Sequence, residues 1–364
     1  MNIKLLLYFV IIVLGLVLYS GKDPKGVKRK WYVIIIISLL IMESCLRNIV
    51  VGPDTSSYYA DFMYYSNQSW AEIMSSFRNA YVEGEGKDPG YLVFMRLALM
   101  FSSNFNVYLF FCALVFFVPL GIILYRYSTH ILQLIFAFTL YVSLFHIVAL
   151  SGVRQQIATG FCFMAFLQLD KGNNWKAILL ILLGSTIHIS TMIFLAVPAL
   201  RLLSPGVIKS IHFGSFITIP AVIAFAGPIM LFLASFLAND YYSGYGESES
   251  QGGAATYIVL MELLSLFCYI AISKKLIADS DRMKLLYVML PMLTITAPLI
   301  SLNGAMIRVG QYFTLYMMLL VPKAIDSVSR KGSTILYTIM IAALVILSMR
   351  SGDFDYYFFW QNVA

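Results

Sequence analysis

Ser151-Gly-Val-Arg-Gln-Gln156 is the stretch on which the reading of this chain turns. It separates two apolar runs, residues 131–150 and 157–169, each with the composition of a membrane-spanning helix. An arginine between such runs is expensive, because a charge facing lipid costs several kcal/mol unless it meets water or a partner. The Ser-Gly pair offers a break between helices, which puts Arg154 in the first turn of the second one. A helix start supplies N–H groups without internal partners and the positive end of the helix dipole, and Arg154 adds a forked cation. That combination suits a phosphate or pyrophosphate.

The rest of the chain agrees with a membrane setting. Of its 364 residues, 60% are hydrophobic and 12% charged, and the mean hydropathy is +0.82. Soluble domains carry about 25% charged residues. The fold class expected is all-α: a polytopic integral membrane protein with about 12 transmembrane helices, forming one membrane domain over residues 1–364. The net charge of +7 does not point to nucleic acid, since the basic residues form small clusters between apolar segments, as orientation in a membrane requires. Cys45, Cys112, Cys162 and Cys268 all lie in apolar segments without metal-ligand spacing and read as small buried hydrophobes. No H-E-x-x-H, Walker or Rossmann pattern occurs, so no metal, nucleotide or other cofactor is expected. Residues 3–19 read as a retained first span, because a Lys-rich turn follows them and no small-residue cleavage site does.

That turn, residues 22–30, holds Lys22, Lys25, Lys28, Arg29 and Lys30 and anchors the topology on the cytoplasmic side. Both termini then fall outside. Residues 47–90 form a long outer segment with its own helices lying along the membrane. Ser69-Trp-Ala-Glu72 is a capping box, followed at helical spacing by Ile73, Met74, Phe77 and Tyr81. Gly52-Pro-Asp54 opens a second short helix with Tyr58, Phe62 and Tyr65 on one side. Residues 91–101 are about half the length of a span and read as re-entrant or interfacial. Residues 175–203 read as a short helical hairpin with His188 near its outer turn, and residues 239–255 as a second outer loop. A rival topology makes 91–101 a full span and 175–203 a single one; it moves Arg154 to the inner side.

In the preferred topology the unusual polar residues gather at the outer face: Asp54 and Asp88 from the long loop, Arg154, His188, and Arg308 from the outer end of a late span. Acids can activate a hydroxyl, arginines can hold pyrophosphate, and tyrosines can stack on sugars. Each residue also has a plainer role. Arg154 and Arg308 could pair with Glu43 or Glu262, and His188 could be a packing residue. Asp54 could be a helix N-cap and Asp88 a turn residue. Tyr241, Tyr242 and Tyr245 fit an interfacial belt, and Arg47, Arg78, Lys87 and Arg96 fit lipid head groups.

Taken together, Gly52-Pro-Asp54 with Tyr58, Asp88-Pro-Gly-Tyr91, Ser151-Gly-Val-Arg154-Gln155, His188-Ile-Ser190, and Arg308 with Tyr312-Phe313 resemble the EpsG family, which includes Wzy-type polymerases of bacterial surface polysaccharides. The pieces occur in family order from about residue 50 to 325. One departs from the pattern, with Asp88 where glutamate is expected before Pro-Gly. The resemblance implies a glycosyltransferase without nucleotide sugar, acting on undecaprenyl-pyrophosphate-linked glycans at the periplasmic face of the inner membrane. Its product would be O-antigen, capsule or exopolysaccharide. Arg154, Arg308 and Gln155 would bind the pyrophosphate, Asp54, Asp88 and His188 would be catalytic, and Tyr58, Tyr91 and Tyr312 would bind glycan. Membrane lipid and a polysaccharide chain-length regulator are candidate partners, and nucleic acid is not. A lipid-linked glycan flippase and a membrane acyltransferase using His188 as base are the alternatives.

Overall fold

The computed structural model describes residues 3–19, 23, 25–225, 228, 254–273, 281–301, 306–328, 333–350 and 355–363. These form helices throughout, and among them the isolated β pairing is the antiparallel bridge between Arg47 and Phe358. The chain separates into two compact units of discontinuous segments. One comprises Met1–Gln68, Tyr91–Leu167 and Ile325–Ala364; the other comprises Ser69–Gly90 and Gln168–Ala324.

Three described helices are long and apolar enough to cross a membrane: Phe105–Tyr127, Ala255–Ile272 and the run Asp281–Ser301. Shorter apolar helices include Ile3–Tyr19, Pro89–Leu99, Ile131–Leu144, Asn174–Ile187 and Ser333–Met349. The protein is therefore a helical membrane protein by length and composition. Residues 239–253 of the second outer loop, with Tyr241, Tyr242 and Tyr245, lie outside the described residues, and Ala254 and Ala255 open the helix Ala254–Ile272.

In the first unit the helix Phe105–Tyr127 packs against Val27–Cys45 along most of its length. Its 23 residues rise about 35 Å, enough to span hydrocarbon. Close approach is enforced by small residues: a Cβ at Gly160 would run into the Val115 carbonyl, so the helices carrying them pack with near backbone contact. Phe116, Phe117, Tyr32, Tyr108 and Tyr141 fill the interior.

The two ends of this unit are chemically distinct. At one, Asp23 accepts hydrogen bonds from the Lys28 and Arg29 amides at 3.1 Å each, and the Arg29 side chain donates to the Ser128 carbonyl. Asp326 there accepts from Gln133 at 2.6 Å and contacts His130 at 2.9 Å. At the other end, Asn106 donates to the carbonyls of Cys45 and Arg47 at 2.7 and 3.0 Å. Residues 104–106 and 45–47 thus share an end, opposite the Lys-rich turn. The helix Pro89–Leu99 has 11 residues. The rival topology needs residues 105 and 46 at opposite ends; here they share one.

The second unit contains the hairpin. Asn174–Ile187 stops at His188, whose backbone is extended, and the chain returns through a 3-10 turn, Ile189–Leu195, and the helix Ala196–Arg201. Arg201 at the far end donates to Asn174 at the start, 3.0 Å away, which closes the hairpin. The interior of this unit holds a polar chain. His212 contacts Tyr287 at 3.1 Å and Ser265 at 2.9 Å, and Ser265 contacts Thr294 at 2.8 Å. Both ring nitrogens of this buried histidine are satisfied, as low-dielectric burial requires.

Candidate functional site

Gly152 interrupts the helical run between His146–Ser151 and Val153–Asp170, and its carbonyl accepts the Gln156 amide at 2.8 Å. Gly152 is thus the residue from which the second helix starts, and Arg154 sits in the first turn, as the sequence indicates. Its Nη2 donates to Asp61 Oδ2 at 3.1 Å. Its guanidinium carbon lies 4.6 Å from the ring centre of Tyr91 and 5.8 Å from that of Tyr58. Cation–π contact of this kind holds an arginine without consuming its N–H edge. The Arg154 side chain remains 19% exposed and that of Asp61 38%.

The aromatic shelf beneath is continuous. Tyr58 and Tyr91 meet edge to face at 6.0 Å, and Tyr108 packs against both Tyr91 and Phe62. Tyr91 is fully buried, so its ring is a wall of the arginine site and is not open to a sugar in this conformation; Tyr58 is half-buried. Tyr65 lies in the same region, and burial, reinforced by the negative charge of Asp61, raises its hydroxyl above the ordinary tyrosine value while Arg154 opposes the shift.

Asp61 was not singled out in the sequence. It stands three residues after Tyr58 and four before Tyr65, on the face that these rings define, and an acid on an aromatic helical face was the available signal. Asp54 occupies the N-cap position of the helix Thr55–Ser66, yet its side chain makes no capping bond, so the plain capping role does not account for it. Gln155 is buried beside Arg154.

In the second unit Asp88 and His188 come together, with 3.8 Å between Asp88 Oδ2 and His188 Nδ1. Asp88 is 4% exposed at the side chain and has φ 55°, a left-handed conformation. Aspartate tolerates that region better than longer side chains do, because its short carboxylate can bond locally. The shorter acid at this position therefore suits the backbone it occupies. Gly90 follows, and a Cβ there would collide with Thr186, so the Pro-Gly turn presses directly on the end of the hairpin helix. Burial, reinforced by the negative charge of Asp88, raises Tyr81 above its ordinary value.

Past His188, Ser190 and Thr191 contact the Tyr312 hydroxyl at 3.0 and 3.2 Å, and Phe194 stacks on Phe313 at 5.8 Å. Tyr312 is fully buried and serves as a tie between the His188 turn and the helix Ile307–Thr314. Arg308 lies in the first turn of that helix, half-buried.

Of the basic residues expected at lipid head groups, Arg47 differs from that expectation. Arg47 is 1% exposed and bonded to Ser44, with its carboxylate neighbour Glu43 held by His146 at 2.9 Å; a buried backbone acceptor took it out of reach of head groups. His146 is the partner that Glu43 needed. Arg96 donates to the carbonyl of Ser66 at 3.2 Å and so caps the Asp61 helix. Arg78 pairs with Glu83 at 3.0 Å.

The ordered motifs and these placements have a common origin: the model of the EpsG family matches residues 30–359. The chain belongs to the EpsG family. The candidate site residues, from Asp54 to Tyr312, all lie inside the matched region. No curated protein and no solved structure matches the chain.

Proposed function

We propose that this EpsG-family chain is a polysaccharide polymerase, a glycosyltransferase that joins undecaprenyl-pyrophosphate-linked repeat units at the periplasmic face of the bacterial inner membrane. The family supports a polymerase-like role in general. The observation that carries the finer reading is Arg154: a cation at a helix start, walled by tyrosine rings, at the end of its unit opposite the Lys-rich turn. The preference of basic turns for the cytoplasm supports an outside position for the Arg154 end.

In the proposed reaction the bond between the donor's anomeric carbon and the pyrophosphate oxygen breaks, and its electron pair stays with the pyrophosphate. The acceptor hydroxyl oxygen forms the new glycosidic bond, and its proton passes to a carboxylate. Arg154 stabilises the charge growing on the leaving group, with Arg308 and Gln155 proposed as further pyrophosphate ligands. Preorganised cations in a water-poor site contribute most where charge develops. Asp54 and Asp88 are the proposed proton acceptors, and His188, beside Asp88, the proposed donor to a phosphate oxygen. Tyr58 keeps the exposure that a sugar-stacking role needs, whereas Tyr91 and Tyr312 are assigned to supporting walls.

Two experiments test this. Arg154→Ala should abolish long polymer in cells while the protein accumulates normally; unchanged polymer length would end the assignment. All four native cysteines are buried, so a Ser151→Cys variant offers a single accessible thiol. Labelling from outside the inner membrane is expected, and labelling only from the cytoplasm would overturn the periplasmic mechanism.

A further inference from the structure

The pairing of Arg154 with Asp61 has a consequence for how the site is regulated. The rings of Tyr91 and Tyr58 lie against the guanidinium of Arg154, so hydrogen bonds to an anion leave from its N–H edge. Asp61 takes the Nη2 donor of that edge at 3.1 Å. A phosphate that engages Arg154 through its paired terminal nitrogens draws on the same Nη2. The carboxylate and the phosphate are therefore rivals.

The helix that carries Asp61 buries few of its side chains. Of Thr55–Ser66, only Thr55 and Phe62 are buried. Phe62 packs on Phe105 and Tyr108, and Thr55 is bonded to the Val51 carbonyl at 2.6 Å. Asp61 itself keeps over a third of its side-chain surface open, so its carboxylate can turn to water without disturbing either anchor.

We infer that Asp61 is an internal counter-ion of Arg154, holding the anion seat while it is empty and displaced when the pyrophosphate of a lipid-linked donor arrives. This rests on the reading of Arg154 as the pyrophosphate ligand. It gives Asp61 a role distinct from the acid of the chemical step: it keeps an outer-face cation from gathering ordinary anionic head groups, and it sets the affinity threshold for the donor. No bond is made or broken in the exchange, only an ion pair replaced by a stronger one.

The test is a sign. The full-length protein is reconstituted in nanodiscs of zwitterionic lipid, and binding of a short-chain polyprenyl pyrophosphate is compared with that of the same polyprenol. Asp61→Asn removes the rival and should tighten pyrophosphate binding about two- to fivefold, the range that half-exposed ion pairs give. Asp61→Glu keeps the charge and should behave as wild type. In an Arg154→Ala background, Asp61→Asn should change nothing. Weaker or equal binding by Asp61→Asn, in protein that elutes as a single folded species, would overturn the counter-ion role while leaving Arg154 as ligand. Loss of the pyrophosphate preference in Arg154→Ala is expected; its retention would instead defeat the underlying reading. Anionic lipid in the nanodiscs should compete measurably with the probe in Asp61→Asn more than in wild type, and equal competition would count against the threshold role.

Discussion

Arg47 and Arg154 belong to the same compact unit and are held in opposite ways. Arg47 is buried and bonds the carbonyl and hydroxyl of Ser44 at 2.5 and 3.0 Å. Its own carbonyl is tied to Asn106, and its backbone bridges to Phe358. Glu43 beside it is bonded to His146 through the side chain and to Tyr356 through the carbonyl, at 2.9 and 2.6 Å. Arg154 instead rests on ring faces and meets the half-exposed carboxylate of Asp61. A buried charge bonded to its own helix end, on a backbone that is itself tied on two sides, organises a fold; a charge leaning on aromatic rings with its edge toward a half-exposed acid is arranged for exchange. The cost of placing an arginine in a membrane is offset by structure in the first case and is available for binding in the second.

The largest effect that could break this contrast is expected at Arg47. Arg47→Ala leaves the Glu43–His146 pair without its neighbouring cation and removes the side-chain bonds that close the end of Val27–Cys45 onto Ser44. Losing one member of a buried charged group costs about 3–5 kcal/mol, so the protein should fail to accumulate in membranes. Immunoblotting of membrane fractions checks this. Normal levels of an inactive Arg47→Ala protein would move Arg47 into the functional class and dissolve the distinction.

Next in size is Arg154→Ala, for which accumulation should be normal and the rate should fall about 100- to 1,000-fold, the range for loss of one preorganised donor to developing charge. Arg154→Lys should recover only part, because a point charge lacks the planar fork and the ring stacking. Polymerisation of purified lipid-linked units by reconstituted protein measures both. A smaller change sharpens the account of how Arg154 is held. Tyr91→Phe keeps the ring and should bind donor as wild type does. Tyr91→Leu removes it and should weaken binding about three- to thirtyfold, from a cation–π contribution of roughly 1–2 kcal/mol. Equal behaviour of the two variants would mean the ring is only filler.

Much of this arrangement was legible in the sequence where local rules dominate. Ser-Gly before Arg154 breaks the helix because glycine ends one turn cheaply and begins another. Ser69 and Glu72 form the capping box that their spacing predicts, and the hairpin turns at His188. What escaped was pairing across distance. Asp61 lies 93 residues from Arg154, and His146 lies 103 from Glu43. Nothing in either local pattern specifies the partner, only that one is needed. His212 was hidden differently, since a satisfied histidine inside an apolar helix leaves no mark on hydrophobic periodicity. The tyrosines misled for a third reason: membrane proteins carry many aromatics at interfaces, and only packing reveals that Tyr91 and Tyr312 are inside.

The smallest effect concerns a carboxylate that is neither buried like Glu43 nor paired with an arginine like Asp61. Glu72 accepts from the Ser69 hydroxyl at 2.7 Å and from its amide at 2.6 Å, closing the capping box of Trp70–Arg78. The Ser69 hydroxyl bond, then the amide bond, lowers its pKa below the ordinary 4.5. A carboxyl whose folded value is depressed stabilises the helix fully above its unfolded value, and that contribution is lost as pH falls through the folded one. The end of this helix should therefore fray below about pH 4.5 and remain unchanged between neutrality and that point. Trp70, the first helical residue, is a fluorescence reporter in place. The acid transition should disappear in Glu72→Gln, which cannot titrate, while the Arg154–Asp61 contact is untouched by that substitution. A transition near neutral pH would instead mark Glu72 as a group shielded from water, and would place it with Glu43 among the carboxylates that organise the fold.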